Sequence, residues 1–276
     1  MSISISLENK VALVTGAGGG IGSAVARCLA QAGAHLALAD MHQDRLDAVA
    51  AQLRAESRNE HMRVESLTCD VCRADDVAAS VAEFARRLGG VDILVNVAGG
   101  GTPQTINTLT SEDWHAVLDL NLTGPFNCIQ AVAPHMKARG GGMIVTVASL
   151  AAITMSLNNG ISYTAAKSGV LGLTRHSAFE LASDGIRVNA VLPGPTLTSQ
   201  IQAKMSPERI DAVANGVPLG RWVLPEEIAR SILFFCSDLS SACTGTHFIV
   251  DSGMHIGAPV SRDEYFRFRD RAQAAQ

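Results

Sequence analysis

The sequence contains few aromatic residues and no long apolar run. Phe, Trp and Tyr make up only 4% of its 276 residues. No uninterrupted apolar stretch approaches the roughly 18 residues that a membrane span needs, so no membrane association is expected. The first ten residues, MSISISLENK, lack a basic region followed by an apolar one, which argues against a secretory signal. We therefore expect a cytoplasmic protein.

Positive charge is not in excess either. The chain has 22 Lys and Arg residues against 26 Asp and Glu residues, which gives a formal net charge of −4. A protein without a basic surface is not expected to bind nucleic acid or anionic lipid. Because 47% of the residues are hydrophobic and 17% are charged, a large core can form and disorder is not expected.

Metal-binding motifs are also absent from the sequence. The eight histidines are dispersed, and the cysteines form a single CxxC pair without two further ligands at a matching spacing. No metal site is therefore expected. The CxxC pair leaves two interpretations, a redox motif or buried thiols in a reducing cytoplasm, of which the second is favoured. The six cysteines are Cys28, Cys69, Cys72, Cys128, Cys236 and Cys243.

The chain does contain a regular alternation of short β-branched runs with longer amphipathic stretches. The apolar runs mostly lack polar alternation, which is typical of parallel strands covered on both faces. This alternation predicts a doubly wound α/β sheet, and no repeat or linker divides the chain. Strands are predicted at 11–15, 35–40, 64–69, 92–96, 142–149, 187–192 and 246–251, and helices at 21–32, 43–57, 74–88, 111–138, 160–183 and 225–237.

Two segments interrupt this alternation. Residues 193–224 form a long excursion with four prolines and a short helix predicted from Pro207. Loops this long are usually functional, and we expect a lid. Residues 254–276 form a tail, which we expect to fold over a substrate site or to contact another subunit; a mobile, solvated tail is the alternative. Its aromatic residues are Tyr265, Phe266 and Phe268.

The first predicted strand runs directly into a glycine-rich turn, TGAGGGIG. Glycines permit a tight turn and close approach of the backbone to a pyrophosphate, and the following helix offers unpaired N–H groups. The spacing differs from GxGxxG, and a glycine-rich turn alone is a weak signal. Its place between the first strand and the first helix predicts a dinucleotide site. The residues assigned to this site are Gly16, Gly18, Gly19, Gly20, Ile21 and Gly22.

An acidic residue, Asp40, ends the second predicted strand. A carboxylate at this position can accept hydrogen bonds from both adenosine ribose hydroxyls, and it would repel the 2′-phosphate of NADP. The next residues, Met41 and His42, supply no Arg that would offset this repulsion. Asp40 therefore predicts NAD as the cofactor, with NADP less favoured. The alternative is that Asp40 only caps the next helix.

The stretch YTAAK places Tyr163 and Lys167 on one face of a predicted helix. A core tyrosine beside a surface lysine would be ordinary. An ammonium within a few ångströms would instead lower the pKa of the phenol from its usual value of about 10 and make it an acid–base group at neutral pH. The second interpretation predicts proton transfer at an alcohol or ketone oxygen.

Several motifs occur in the order typical of the short-chain dehydrogenase/reductase family in its classical form, over roughly residues 7–253. TGAGGGIG resembles the family's TGxxxGxG cofactor loop, and YTAAK resembles its YxxxK motif. NVAG resembles NNAG, with Val97 in place of the second Asn. The other positions that resemble family motifs are Asp70-Val71, Asn121, Ser149, PGPTLT at 193–198 and VDSG at 250–253.

The resemblance implies a single-domain Rossmann-type fold, with a doubly wound parallel seven-stranded sheet and helices on both faces. It implies a catalytic domain over residues 1–253 that includes the substrate loop 193–224. It also implies a homotetramer built through the helices at 111–138 and 160–183. The catalytic residues it implies are Asn121, Ser149, Tyr163 and Lys167.

The same resemblance implies individual roles. Tyr163 transfers the proton, Ser149 donates a hydrogen bond to the substrate oxygen, and Lys167 holds the nicotinamide ribose. Asn121 anchors a water that relays protons. Beyond the glycine loop and Asp40, the residues implied to bind the cofactor are Asp70, Val71, Asn96, Ala98, Gly99, Tyr163, Lys167, Pro193, Gly194, Thr196 and Thr198.

The predicted substrate pocket departs from the family pattern. Ser149 and Tyr163 are 14 positions apart, more than is usual in the family. The longer loop between them is expected to form one wall of the pocket, and it contains no Arg or Lys. We therefore expect a neutral, largely apolar secondary alcohol, with cyclic alcohols included. The expected contacts are Ala151, Ile153, Met155 and Asn159, next to Ala152, Leu157 and Asn158.

These features predict an NAD-dependent enzyme that interconverts a secondary alcohol and a ketone. A 3-oxoacyl-carrier-protein reductase using NADPH is the alternative. In such enzymes a basic residue docks the acidic carrier protein, and that position falls here on Asp184, which reverses the charge. A non-catalytic dinucleotide-binding regulator on the same fold is less favoured, because Ser149, Tyr163 and Lys167 are all present.

Overall fold

The computed structural model describes residues 5–57, 59, 61–257 and 264–267. Seven strands form one sheet in which every pair is parallel, in the order β3-β2-β1-β4-β5-β6-β7. This confirms the predicted doubly wound sheet and its strand number. The strands are Val11–Thr15 (β1), His35–Asp40 (β2), Val64–Thr68 (β3), Ile93–Asn96 (β4), Gly142–Val147 (β5), Ile186–Pro193 (β6) and His247–Val250 (β7).

Helices cover both faces of the sheet. Each predicted helix is present within a few residues of its expected bounds, and the predicted helix 111–138 contains a π-helical segment, Asp119–Thr123. The α-helices are Gly20–Gln31 (α1), Gln43–Glu56 (α2), Ala74–Leu88 (α3), Ser111–Leu118 (α4), Gly124–Ala138 (α5), Gly160–Leu181 (α6), Ser199–Lys204 (α7), Pro207–Asn215 (α8) and Pro225–Phe235 (α9).

Successive residues of the strands supply two separate cores. Val14 packs into a core with α1, α2 and α9, whereas its neighbour Leu13 packs into a core with α3 and α5. Both side chains are almost fully buried, at 0% and 2% exposure. A strand that is buried on both faces has no reason to alternate polar and apolar residues, which explains the continuous apolar runs in the sequence.

The carboxyl ends of the strands lie along one edge of the sheet, because all seven run in the same direction. Open parallel sheets bind ligands outside this edge, where the strand order reverses. Here the order reverses between β1 and β4, which places the loops after these two strands on either side of a crevice. The glycine-rich turn after β1 and the NVAG segment after β4 are these two loops.

Candidate functional site: the cofactor cleft

The glycine-rich turn is packed so closely that side chains are excluded from two of its positions. Gly16 has φ +63°, and a Cβ added to it would lie 2.8 Å from the backbone nitrogen of Ala98. A Cβ on Gly22 would overlap the carbonyl oxygen of Gly16. Helix α1 begins at Gly20, and its N-cap residue Gly19 provides no side-chain cap. The turn therefore leaves the helix N-terminus open to an anionic ligand.

A cleft of about 390 Å³ opens beside this turn. Ten of its lining residues were predicted from the sequence: Gly16, Gly19, Gly20, Ile21, Gly22, Asp40, Val71, Ala98, Gly99 and Thr198. Seven others were not assigned: Met41, His42, Arg45, Cys69, Val97, Leu120 and Gln200. The cleft brings the ends of β1, β2, β3 and β4 together with the first residues of the excursion after β6. This is the set of elements that a dinucleotide site at the strand reversal requires.

Asp40 points its carboxylate towards the glycine turn. Its Oδ2 accepts a hydrogen bond from the backbone N–H of Gly18 at 3.0 Å, and its Oδ1 lies 3.1 Å from both the backbone nitrogen and the Nδ1 of His42. The N-cap of α2 is His42, so the alternative that Asp40 caps this helix is not what the structure shows. The Asp40 side chain remains 12% exposed and lines the cleft.

Met41 and His42 supply no arginine, as the sequence shows, but Arg45 lies near Asp40 in the structure. It lies in the first turn of α2 and lines the cleft. A Cβ added to Gly18 would lie 2.7 Å from the Cβ of Arg45 and 3.1 Å from Oδ2 of Asp40. Gly18, Asp40 and Arg45 are therefore neighbours at one end of the cleft. The sequence signal that could have found Arg45 is its place in the first turn of the predicted helix, which keeps it close to the end of β2.

Several predicted cofactor residues lie outside the lining of this cleft. Asp70 uses Oδ1 to accept the backbone N–H of Cys72 at 3.0 Å, while its neighbour Val71 lines the cleft. Asn96 is 2% exposed and donates to Oγ1 of Thr146 at 3.3 Å, which ties β4 to β5. The remaining residues outside the lining are Gly18, Tyr163, Lys167, Pro193, Gly194 and Thr196.

Candidate functional site: the Tyr163 and Lys167 centre

Lys167 is not a surface residue. It is 3% exposed, and its Nζ donates to the carbonyl oxygen of Val147 at 2.9 Å. Nζ lies 5.5 Å from the centroid of the Tyr163 ring. Burial without a counter-charge lowers the pKa of the ammonium to about 8, from an ordinary value of 10.5. The interpretation of YTAAK as a surface lysine beside a core tyrosine is therefore wrong.

The pKa of Tyr163 differs from the expectation. Burial raises the pKa of the phenol, and the Ser149 hydroxyl acts in the opposite direction. The Nζ of Lys167 lies 5.5 Å from the ring centroid and does not offset the effect of burial on the pKa of the phenol. In the protein alone, the expected lowering of the phenol pKa by the lysine is therefore not found.

Ser149 follows β5 and caps a short 3₁₀ helix, Leu150–Ala152. Its Oγ accepts a hydrogen bond from the backbone N–H of Ala151 at 3.1 Å. This bond uses an acceptor lone pair, so the hydroxyl hydrogen of Ser149 stays available for donation. Both Ser149 and Tyr163 are therefore placed at the carboxyl edge with hydroxyl groups that interact.

Asn121 lies in the π-helical segment between α4 and α5, and its side chain holds the NVAG loop. Its Nδ2 donates to the carbonyl oxygens of Gly100 at 2.7 Å and Val117 at 2.8 Å, and its Oδ1 accepts the N–H of Gly100 at 3.1 Å. Both hydrogens of this amide are engaged by the backbone, and its oxygen keeps a second lone pair. That Asn121 anchors a relay water stays a prediction.

Gly99 joins the cofactor cleft to the catalytic residues. It lines the cleft, and a Cβ added to it would lie 2.8 Å from Oδ1 of Asn121 and 3.2 Å from Nζ of Lys167. Only one of the three N–H groups of Lys167 has an acceptor among the described residues. A buried ammonium with two unused donors at the end of a glycine-lined cleft fits the hydroxyl groups of a dinucleotide ribose.

Candidate functional site: the substrate side

The loop between Ser149 and Tyr163 presents apolar side chains to solvent. Ile153, Met155 and Leu157 are 46%, 71% and 74% exposed. Ala151 is only 4% exposed, so it has little surface to offer, and the prediction of a contact there is the weakest of the four. Asn159 packs against the NVAG loop, since a Cβ on Gly101 would lie 2.7 Å from its carbonyl oxygen.

Residues 193–224 form the expected excursion. The predicted helix from Pro207 is α8, and the structure adds α7, which the sequence did not predict. Thr198 caps α7 by accepting the backbone N–H of Ile201 at 3.3 Å, and a Cβ on Gly20 would lie 2.9 Å from the Cβ of Thr198. The start of the excursion therefore rests directly on the glycine turn. We call residues 199–215 the lid.

The aromatic tail is described only in part. Tyr265 and Phe266 are 48% and 53% exposed, and their rings pack edge to face with centroids 5.5 Å apart. Phe268 lies outside the described residues. The prediction that the tail covers a substrate site stays a prediction.

The described part of the chain holds no group of three His, Cys, Asp or Glu residues able to bind a metal. All six cysteines are free thiols, and Cys69 lines the cofactor cleft. Burial raises the pKa of Cys69 and, together with Asp70, raises that of Cys72 to about 11. Thiols with raised pKa values are poor nucleophiles, which argues against the redox interpretation of the CxxC pair. Among the described helices, none is long and apolar enough to cross a membrane.

Comparison with known proteins

The chain is similar to curated oxidoreductases along most of its length. A family model described as "Enoyl-(Acyl carrier protein) reductase" matches residues 16–255. D-threitol dehydrogenase from Mycolicibacterium smegmatis is 38% identical over 250 residues, which cover 91% of this chain and 94% of that protein. The 3-oxoacyl-[acyl-carrier-protein] reductase FabG from Thermotoga maritima is 37% identical over 250 residues, covering 91% and 99%.

Solved structures show the same fold with different cofactors. A short-chain type dehydrogenase/reductase from Mycobacterium marinum has a TM-score of 0.84 at 34% identity, covering 92% of this chain and 98% of that one. L-sorbose reductase from Gluconobacter frateurii, complexed with NADPH and L-sorbose, has a TM-score of 0.86 at 31% identity, covering 93% and 100%. A 7α-hydroxysteroid dehydrogenase complexed with NADH has a TM-score of 0.85 at 33% identity, covering 92% and 98%. The chain belongs to the classical short-chain dehydrogenase/reductase family.

Proposed function

We propose that this protein is an NAD-dependent oxidoreductase that interconverts a secondary alcohol and a ketone. The observation that carries the proposal is the buried Lys167 beside the half-buried Tyr163, next to Gly99 of a glycine-lined cleft that contains Asp40. Members of the family act on CH–OH groups, and the relatives include alcohol dehydrogenases. A buried ammonium retained without a counter-charge is typical of a catalytic site rather than of a packed core.

The bound nicotinamide supplies the hydride acceptor or donor. Within the protein, the Tyr163 hydroxyl moves a proton at the substrate oxygen, and Ser149 donates a hydrogen bond to the same oxygen, where negative charge develops. The two N–H groups of Lys167 that find no acceptor among the described residues hold the ribose hydroxyls. Burial alone raises the pKa of Tyr163, so the positive charges of Lys167 and of the oxidised nicotinamide must oppose the effect of burial during alcohol oxidation.

Asn121 contributes through the NVAG loop. Its amide fixes Gly100 by two hydrogen bonds and so holds Gly99 against Lys167. We propose that the relay water binds to backbone carbonyls of the π-helical segment, since π-type hydrogen bonding alters the regular carbonyl pattern of the helix. Asn121 then shapes the relay site without binding the water through its side chain.

NAD is the proposed cofactor because Asp40 lies at the ribose end of the cleft. Arg45 and His42 line the same end, so the preference against the 2′-phosphate of NADP is expected to be moderate rather than strict. The complexes of similar structures with NADPH and with NADH agree with a fold that accepts either cofactor.

The proposed substrate is a neutral, largely apolar secondary alcohol, with cyclic alcohols included. Ile153, Met155 and Leu157 offer exposed apolar surface beside Ser149, and residues 150–161 contain no charged side chain. A charged substrate would find no partner on this wall of the pocket. The name of the 7α-hydroxysteroid dehydrogenase shows that a related chain acts on a bulky cyclic alcohol.

The test is a panel of secondary alcohols assayed with NAD⁺ and with NADP⁺, followed by the absorbance of the reduced cofactor. We expect turnover of cyclic and other apolar alcohols with NAD⁺, and much weaker turnover of acidic or phosphorylated ones. The Tyr163→Phe variant should retain NADH binding, measured by fluorescence, and lose turnover. Turnover by this variant above a tenth of the wild-type kcat would refute the assignment of Tyr163.

A second candidate is a 3-oxoacyl-carrier-protein reductase, which the 37% identity to FabG favours. Asp184, which lies where such enzymes are expected to carry a docking base, forms an ion pair with Lys137 at 2.8 Å. The carboxylate of Asp184 would repel an acidic carrier protein, and its ion pair with Lys137 leaves that lysine with little attraction to offer. Reduction of a 3-oxoacyl carrier-protein substrate with NADPH, faster than oxidation of any alcohol in the panel, would establish this candidate instead. A regulator without catalytic activity would bind NADH but turn over nothing.

The domain organisation and assembly are part of the proposal. Residues 1–253 form the catalytic domain with the substrate loop 193–224, and residues 254–276 cover a substrate site or contact another subunit. A cytoplasmic homotetramer built through the helices at 111–138 and 160–183 is supported by two aromatic residues there, Phe126 and Phe179, which are 46% and 83% exposed. Light scattering would test the tetramer, and truncation after Gly257 should raise KM if the tail covers the site.

A further inference from the structure

A buried carboxylate lies at the carboxyl edge of the sheet, outside the residues assigned above. Asp251 follows β7 and is 4% exposed. It accepts hydrogen bonds from the backbone N–H groups of Gly253 at 2.9 Å and His255 at 2.6 Å, and its Oδ2 lies 2.9 Å from Nδ1 of His255. Since a carboxylate only accepts hydrogen bonds, Nδ1 of His255 is the donor in this pair.

The turn held by Asp251 is attached to the segment that follows the lid. The carbonyl oxygen of Ser252 accepts the backbone N–H of Leu219 at 3.1 Å. A Cβ on Gly253 would lie 3.0 Å from the Cβ and Cγ of Pro218, so this position leaves little room for a side chain. Pro218 and Leu219 follow α8, the second helix of the lid. The turn is therefore joined, by one hydrogen bond and one close packing contact, to the segment that leads out of the lid.

The opposite side of Asp251 is fixed by the core of the site. A Cβ on Gly194 would lie 2.5 Å from the Cβ of Asp251, and the backbone N–H of Gly194 donates to the carbonyl oxygen of Val250 at 2.9 Å. Asp251 therefore packs its Cβ against the end of β6, and its carboxylate is bonded to the backbone of Gly253 and to the backbone and imidazole of His255. The His255 side chain is 40% exposed.

We infer that His255 is a positioning residue for the lid. Its hydrogen bond to Asp251 fixes the turn at 251–254, and the turn fixes the point from which the lid closes over the substrate. His255 touches no reacting atom. The inference rests on the proposed function in one respect, because it assumes that a substrate binds beneath the lid. A lid that is closed for a smaller fraction of time binds substrate more weakly by the same fraction.

The kinetic experiment compares three variants with the wild type on its best alcohol. His255→Leu removes the donor to Asp251, and we expect KM for the alcohol to rise about fivefold while kcat changes less than about twofold. In His255→Asn the side-chain N–H can replace Nδ1–H, so KM should return to within about twofold of the wild type. His61→Leu is the control, because His61 is an exposed histidine that precedes β3, outside the helices of the proposed subunit contacts and outside the turn at 251–254.

A second experiment needs no substrate. The lid carries two exposed tryptic sites, Lys204 and Arg209. We expect His255→Leu to be cleaved at these sites about fivefold faster than the wild type, in proportion to the open fraction of the lid. His255→Asn and His61→Leu should be cleaved at the wild-type rate.

The outcomes separate the inference from the proposed function. Unchanged KM and unchanged cleavage of the lid in His255→Leu would overturn the inference. A loss of kcat in His255→Leu that His255→Asn does not rescue would also overturn it, because it would indicate general damage to the fold. If the wild type oxidised no alcohol, the proposed function would fail, and the cleavage experiment would still decide the role of His255.

Discussion

Two buried charges lie at opposite edges of the same sheet, and their surroundings differ. At the amino edge, Asp92 is 4% exposed. Its carboxylate accepts hydrogen bonds from Nε and Nη2 of Arg139, at 2.7 and 3.1 Å, and from the backbone N–H of Val11 at 2.8 Å. At the carboxyl edge, Lys167 is 3% exposed and donates to one neutral carbonyl. A charge with all its partners joins elements together, whereas a charge left without them is kept for a ligand or a reaction.

The largest expected effect is on catalytic activity, which should fall when Lys167 is replaced and stay nearly unchanged when Arg139 is replaced. Lys167→Met should lower kcat/KM by about a thousandfold, because it removes the cation beside Tyr163 and the donors to the ribose. Arg139→Met removes a cation of similar length at the other edge and should leave kcat within about twofold, provided that the assay is run well below its unfolding temperature. A comparable loss of kcat in both variants would show that the loss in Lys167→Met comes from damage to the sheet.

The effects on stability should be the reverse of those on activity, with Arg139→Met the more damaging of the two variants. Arg139→Met leaves the carboxylate of Asp92 buried without its charged partner, so the free energy of unfolding should fall by about 3 kcal/mol. Urea unfolding of the variant and the wild type at pH 7 measures this difference. A change below about 1 kcal/mol would mean that the Asp92–Arg139 pair is not a structural element.

Lys167→Met should instead stabilise the protein, and the gain should depend on pH. The folded-state pKa of Lys167 is about 8, below its ordinary value of 10.5, so between these values the unfolded chain binds more protons and wild-type stability rises with pH. The gain from removing the charge is therefore largest below pH 8, at about 3 kcal/mol, and disappears above pH 10.5. Unfolding curves of the variant and the wild type at pH 7 and pH 10.5 test this pH dependence. An equal gain in the free energy of unfolding at both pH values would contradict it.

A smaller effect, on cofactor preference, is expected at the ribose end of the cleft, where an acidic and a basic side chain, Asp40 and Arg45, are neighbours. Asp40→Ala should raise kcat/KM for NADP relative to NAD by about tenfold, because the like charge facing a 2′-phosphate is removed. Arg45→Gln should move the same ratio in the opposite direction. The measurement is kcat/KM with each cofactor in both variants and the wild type. A wild type that favours NADP would refute the argument from Asp40.

The fold and the cofactor turn could be predicted because their signals are local in sequence. Continuous apolar runs mark strands that are buried on both faces, and the glycines of 16–22 stand in one short run after β1, even though two of them are required by contacts with the distant residues Ala98 and Thr198. The pairing of Tyr163 with Lys167 follows from helical spacing alone.

What could not be predicted depends on distant parts of the chain or on burial. The amide of Asn121 is engaged by Gly100, which lies 21 positions away, and no motif reports such a bond. The raised pKa of Tyr163 depends on how deeply α6 is packed, which spacing does not report. Helix α7 is six residues long, too short for an amphipathic period to be recognised.

The raised pKa values of five buried or half-buried thiols have a practical consequence for measuring motion of the lid. Burial raises the pKa of Cys236 to about 12 and that of Cys28 and Cys128 above the usual value, as it does for Cys69 and Cys72. Maleimide and iodoacetamide dyes react with thiolates, so these five positions should label slowly at neutral pH. With the half-buried Cys243 changed to serine, a single cysteine introduced at Lys204 would carry a fluorophore on the lid against an unlabelled background.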